Sequence, residues 1–267
     1  MSLKIKEFIR YMNLLAPEDL KESYDNVGFQ IGDRECEVKK VLIALDATLE
    51  VIKEAKEKEV NLLITHHPLL FKKPSSITND TLQGKKILEL IKNDINLYSA
   101  HTNLDSVNGG MNDIIMMLLG LKDSEIMDKN INDNSSGIGR IANLDKEKTL
   151  KEMCRLVKMN LGVRFIKVVG DMNRSIKTVA VINGSGESFF EKAKSMGADL
   201  VITGDTSYHF ASDYNEMGMA IMDIGHFSSE WPLFKEISKK IQAYFKENDE
   251  SIEVFISEKS KDPYSIY

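Results

Sequence analysis

The side chains able to do chemistry in this chain gather at the ends of its apolar runs. There are five histidines, and each follows a short aliphatic or β-branched segment. Leu62-Leu63-Ile64-Thr65 leads into His66-His67-Pro68, and Leu97–Ala100 leads into His101-Thr102-Asn103-Leu104-Asp105. Ala220–Ile224 is followed by Gly225-His226, with Glu230 a helical turn further on; Leu200–Thr203 is followed by Gly204-Asp205 and then His209. In open α/β sheets, ligands bind at the carboxyl ends of strands. Each segment alone is weak evidence. A His-His pair is often a surface polar pair, HxxxD is commonly an Asx turn, and HxxxE is often a helix cap and dipole partner. The joint pattern is stronger, because imidazoles and carboxylates on apolar strand ends are costly unless paired or metal-bound.

Neutral imidazoles suit Zn and Fe, and carboxylates can bridge two such ions. His66, His67, Asp105, His226 and Glu230 supply three imidazoles, an aspartate and a glutamate, which can share two divalent ions if the glutamate bridges. Water on such ions loses its proton near neutral pH and becomes a hydroxide nucleophile, while open positions polarise the bond under attack. That is the signature of a metal-dependent hydrolase.

The elements that must position these groups alternate between two periodicities. Strands are predicted near 41–45, 62–65, 97–100, 164–169, 179–182, 200–203, 220–224 and 252–256. Helices are predicted near 50–58, 82–94, 110–119, 146–161, 188–196 and 231–245, with Ser229 as the N-cap of the last. The spacing of Leu3, Ile5, Phe8, Ile9, Met12 and Leu15 marks a further amphipathic helix at the start, not a signal peptide. Such βαβ succession implies largely parallel or mixed sheets covered by helices. The polar stretch 123–139 reads as a loop or junction, which suggests one domain from 1–123 plus 226–267 and a second from 124–225.

Residues 40–67 align without a gap on residues 178–205, at an offset of 138. Val41, Ala55, Lys56, Leu62, Ile64 and Thr65 recur identically, within one strand–helix–strand pattern. Any two βαβ units look somewhat alike. The sharper reading is an internal duplication giving two related α/β halves, with His66-His67 and Gly204-Asp205 at equivalent strand ends and both contributing to one cleft.

Composition bounds the rest. The chain of 267 residues is 42% hydrophobic and 28% charged, which is globular. Its apolar runs are far below the roughly 20 residues that span a bilayer. A net charge of −6 with scattered lysines argues against a nucleic-acid surface. Cys36 and Cys154 stand alone, as suits a reducing, cytoplasmic compartment. There is no P-loop or dinucleotide fingerprint, and Gly184-Ser185-Gly186 reads as a strand–helix turn.

The ordered segments resemble the GTP cyclohydrolase I type 2 family, the Nif-three-like proteins. They are Asp25-Asn26-Val27-Gly28 with Gly32, Leu45-Asp46-Ala47-Thr48, Thr65-His66-His67-Pro68-Leu69 with Phe71-Lys72, and His101-Thr102-Asn103-Leu104-Asp105. Ile202-Thr203-Gly204-Asp205 with Tyr208-His209, and Gly225-His226 with Ser229-Glu230, complete the set. Tyr24 stands where the family usually has Trp, and the span between Asp105 and Asp205 is too short for the extra domain of some relatives. The resemblance implies two related α/β domains with mixed sheets covered by helices. It implies a dinuclear centre of Zn or Fe, or else Mn, on His66, His67, Asp105, His226 and a bridging Glu230. His101 and His209 are implied near that centre, in substrate-binding or proton-transfer roles. It also implies a toroidal homohexamer and a small-molecule substrate, with the family name pointing to hydrolytic opening of the GTP imidazole ring.

Two other functions compete with this one. A non-catalytic metal-binding regulator or metal-trafficking protein needs the same ligands but no proton-transfer groups. A dinuclear phosphoesterase would show DxH and GNH motifs, and Asp46-Ala47-Thr48 lacks the histidine.

Overall fold

The computed structural model describes residues 2–131 and 133–267. In chain order the elements are α1 (Ile5–Leu15), β1 (Gly28–Ile31), β2 (Lys40–Ala44), α2 (Leu49–Glu57), β3 (Leu62–Thr65), α3 (Leu82–Lys92), β4 (Asn96–Ser99) and α4 (Thr102–Ser106). There follow α5 (Met111–Leu118), β5 (Glu125–Lys129), β6 (Gly137–Thr149), α6 (Leu150–Leu161), β7 (Lys167–Val169), β8 (Ser175–Ser185) and α7 (Phe190–Ser195). The chain ends with β9 (Leu200–Gly204), α8 (Tyr208–Glu216), β10 (Ala220–Asp223), α9 (His226–Asn248) and β11 (Glu253–Ile256). No described helix is long and apolar enough to cross a membrane.

Two compact units emerge, residues 1–104 with 234–267 and residues 105–233. Residues 105–123 and 226–233, grouped with the first domain from sequence, cluster with the second. The reason is packing: α5 lies against β6 and β8. The division falls inside α4 and α9.

The first unit holds a five-stranded sheet in the order β1-β4-β3-β2-β11. β11, β2, β3 and β4 run parallel, and β1 closes the edge antiparallel to β4. All residues of β3 and β4 are buried, as expected for central strands covered on both faces. On one face Leu42, Ala44, Leu63 and Leu97 pack with Val51, Ile52 and Ala55 of α2 and Leu90 of α3. Elsewhere in this unit Phe8 of α1 stacks on Phe245 of α9, with ring centroids 5.2 Å apart, and meets Tyr98 of β4 edge-on at 5.4 Å. Burying such rings contributes about 2–3 kcal/mol each.

The second unit holds a six-stranded sheet in the order β5-β6-β8-β9-β10-β7. Here β8, β9 and β10 are parallel, while β7 and β6 flank them antiparallel. Its core is built on Ile141, Ala180, Ile182, Phe190, Val201 and Ile221.

Several sequence expectations change. The stretch 123–139 is not simply a loop: it carries β5 and the start of β6, paired antiparallel, and Asn132 within it lies outside the described residues. The Met127 side chain faces the core and offsets the polar sequence around it. The helix expected at 146–161 begins only at Leu150, where Thr149 and Glu152 form a capping box, because β6 runs through Thr149. The last helix starts at His226, so Ser229 lies inside it and is not its cap. β1 and α8 were not foreseen, since neither has a clear apolar period: β1 buries one residue fully and α8 none.

Candidate metal centre

In the first unit, parallel β3 and β4 end side by side, with Thr65 opposite Ser99. The residues that follow are therefore neighbours. His66, His67 and His101 each offer a ring nitrogen within 4.8 Å of the others. Their ring centroids are 5.1–5.4 Å apart, and His66 is fully buried.

Each ring is fixed through Nδ1. Nδ1 of His66 lies 2.8 Å from the Ala100 carbonyl, which can only accept, so this nitrogen carries the proton and the lone pair falls on Nε2. Nδ1 of His67 lies 2.8 Å from Oδ1 of Asp46, at the end of β2. Nδ1 of His101 lies 3.0 Å from Oδ2 of Asp25. Burial raises the Asp25 pKa, but hydrogen bonds from His101 and Thr102 outweigh it and pull the carboxyl down to about 2. Asp25 is thus ionised at neutral pH and accepts from His101. An Nδ1 partner of carboxylate or carbonyl type is the usual support of metal-ligating histidine.

The second unit gathers the acidic donors. His226 opens α9 and Glu230 lies one turn later on the same face, with His226 Nε2 3.0 Å from Glu230 Oε2. Nδ1 of His226 lies 2.7 Å from Oδ2 of Asp205, just past β9. Glu230 is only 2% exposed. The end of β8 holds two of the carboxylates. The Asn183 side-chain amide donates to Oδ1 of Asp105 at 2.8 Å, and the Asn183 backbone N–H donates to Oδ1 of Asn112 at 3.1 Å. Asn112 in turn donates to the Asp105 carbonyl, so both asparagines fix this aspartate. The next residue, Gly184, has φ +62, and any Cβ there would collide with the Glu230 carboxylate. Its N–H donates to Ser229 Oγ, which donates to the His226 carbonyl. Buried Asp223 accepts from Lys167, Thr206 and Gly225, and so ties the turn after β9 to the residue just before His226. Burial opposes its ionisation, but these bonds prevail and lower its pKa.

The structure thus brings His66 and His67 together with His101, and brings His226 together with Glu230. Asp105 sits buried beside β8, and β8 also cradles Glu230. His209 lies exposed in the first turn of α8, its ring beside Tyr208, and joins neither group. Sequence reasoning missed Asn183 and the purpose of Gly184. The only signal was the Gly-Ser-Gly turn, whose first glycine makes room for a carboxylate. Asp25 and Asp46 were visible within motifs, but their roles as histidine partners appear only in three dimensions.

Such a donor set, imidazoles anchored at Nδ1 beside buried carboxylates, fits borderline divalent ions, so these histidine and glutamate side chains could hold metal. Fold and side chains together define an α/β protein of two mixed sheets with a metal-type donor set at its strand ends. The family model Duf34/NIF3 (NGG1p interacting factor 3) matches residues 3–263, and the chain belongs to this family. It is 53% identical to a protein of Clostridium perfringens named GTP cyclohydrolase 1 type 2 homolog, across 99% of this chain and all of that one. A Clostridium acetobutylicum protein of the same name is 49% identical over the full length of both. Among solved structures, a hypothetical protein of Staphylococcus aureus matches at TM-score 0.90 and 31% identity, covering all of both chains.

Proposed function

We propose that this chain is a dinuclear metal-dependent hydrolase of the GTP cyclohydrolase I type 2 kind, acting on a nucleotide or a related small molecule. The observation that carries the reading is the Nδ1 anchoring of four histidines, which aims their remaining ring nitrogens as donors. His66, His67, Asp105, His226 and Glu230 are assigned as ligands of two ions, Zn or Fe, with Mn as the other fitting metal. Their assignment as one set rests on the resemblance of the ordered segments that carry them.

Two such ions would activate water and polarise the bond under attack. The chain's own contribution is positioning and proton handling. Asp25 keeps His101 with its proton at Nδ1, so Nε2 of His101 is the atom assigned to take and return a proton. His209 is assigned to substrate contact from the exposed start of α8. The names of the relatives support a nucleotide substrate. The toroidal homohexamer rests on the resemblance and the cytoplasmic location on the two isolated cysteines; native mass and fractionation check them.

The test is a turnover screen of nucleotides and phosphoesters with Zn, Fe and Mn. For an enzyme, His101→Ala lowers kcat at least about 100-fold with metal content unchanged, and His209→Ala raises KM. If every substrate is untouched by wild-type protein that holds its metal, the non-catalytic binding protein is the correct reading.

A further inference from the structure

We infer that the cavity between α3 and the turn after β3 is a subsite for an anionic group, phosphate or carboxylate, held by the ammonium of Lys86. This deepens the proposed function, on which it rests for the identity of its neighbour, His67.

The cavity is a solvent-open cleft of about 350 Å³ that lies wholly within the first unit. His67 and Asp46 form one end, Leu69 and Leu82 the apolar walls, and Gln83 and Lys86 the α3 side. Its shape is fixed in advance. The Gln83 side chain donates to the carbonyls of Leu69 and Lys72, at 2.9 and 3.0 Å, and ties that turn to the helix. Asn26 and Gln30 brace the same turn through the backbone of Leu70.

Lys86 is half-buried, and among the described residues no carboxylate lies within ion-pair distance of it. Several other lysines of this unit do have carboxylate partners: Lys40 has Glu59 and Glu253, Lys58 has Glu54, and Lys4 and Lys6 share Glu35. Burial lowers the Lys86 pKa, and the more distant charge of Asp46 only partly opposes this. Asp46 is already engaged with His67. Lys86 is thus a partly desolvated cation at the cleft with no ion-pair partner among the described residues, and an incoming anion would supply one. The positive end of α3 points the same way, because its first turn carries no acidic residue and Leu82 and Gln83 line the cavity. A ligand whose anionic group reaches Lys86 would lay its body along Leu69 and Leu82 and present its far end toward His67.

The test measures binding of inorganic phosphate and of acetate to the full-length protein, as purified and after chelator treatment, with metal content determined on each sample. Saturable binding that falls about tenfold or more in Lys86→Met and is largely kept in Lys86→Arg, at constant metal content, is expected. The tighter of the two anions identifies the class. Binding equal in wild type and Lys86→Met, or no saturable binding of either anion, overturns the subsite. If phosphate binds through Lys86 while the purified protein proves free of metal, the subsite stands and the hydrolase reading falls.

Discussion

The β2–α2–β3 segment of the first unit and the β8–α7–β9 segment of the second are one scaffold used twice. Val41 pairs with Leu62 as Val179 pairs with Leu200, and Ile43 with Ile64 as Val181 with Ile202, each at the offset of 138. Asn61 accepts the backbone N–H groups of Lys39 and Lys40, and Asp199 accepts those of Lys177 and Thr178. The likeness reaches the third parallel strand and its antiparallel edge neighbour, β4 with β1 and β10 with β7. It ends on the other side, where β11 joins β2 in parallel but β6 joins β8 antiparallel. What differs at matched strand ends is chemistry. Where the first copy has Asp46 and His66-His67, the second has Gly184 and Gly204-Asp205. The first copy supplies imidazoles with their anchors, and the second supplies a carboxylate and the space for another.

The largest break in this comparison is Gly184→Val. It places a β-branched side chain at φ +62 and against the Glu230 carboxylate, and should cost about 3 kcal/mol or more, together with metal affinity. Chemical denaturation and metal analysis measure both. The converse change, Asp46→Gly, removes the His67 anchor and should weaken metal binding about 10-fold.

The matched caps come next. Asp199→Ala leaves two backbone N–H groups without their acceptor and should destabilise by about 2 kcal/mol; Asn61→Ala, whose acceptor is uncharged, should cost about 1 kcal/mol. Exchanging the two residue types between the sites should cost less than either alanine change. Unfolding midpoints of the variants give the ranking.

The smallest effect is expected at the helix ends. Glu59 follows α2 at φ +57, and its counterpart after α7 is Gly197 at φ +83. Glu59→Gly should therefore stabilise by about 0.5–1 kcal/mol, as the repeat supplies the residue this conformation favours. A loss of stability would show that the ion pair of Glu59 with Lys40 outweighs the backbone strain.

How much of this was legible beforehand follows from the kind of signal each feature leaves. The buried parallel strands β2, β3, β9 and β10 write themselves as unbroken aliphatic runs, and the repeat was visible because its register carries no insertion. The histidines stood out because strand ends expose them to ligands. β5 was hidden, since its neighbours expose polar side chains and only Met127 turns inward. The Asn183 contact with Asp105 spans 78 residues, and the space made by Gly184 is an absence of atoms. No local spacing encodes either. The start of α9 at His226 was missed because Ser229 has the residue type of a cap, while its hydroxyl is used inside the helix to join Gly184 to the His226 carbonyl.

The proposal to test first is that His66, His67, Asp105, His226 and Glu230 hold a pair of divalent ions. Metal analysis of protein purified without chelators tests it most directly, on wild type beside His66→Ala and Glu230→Ala. About two transition-metal ions per wild-type chain are expected, with fewer in either variant despite intact secondary structure. Well-folded wild-type protein that takes up no transition metal, or variants that keep the full complement, would contradict it.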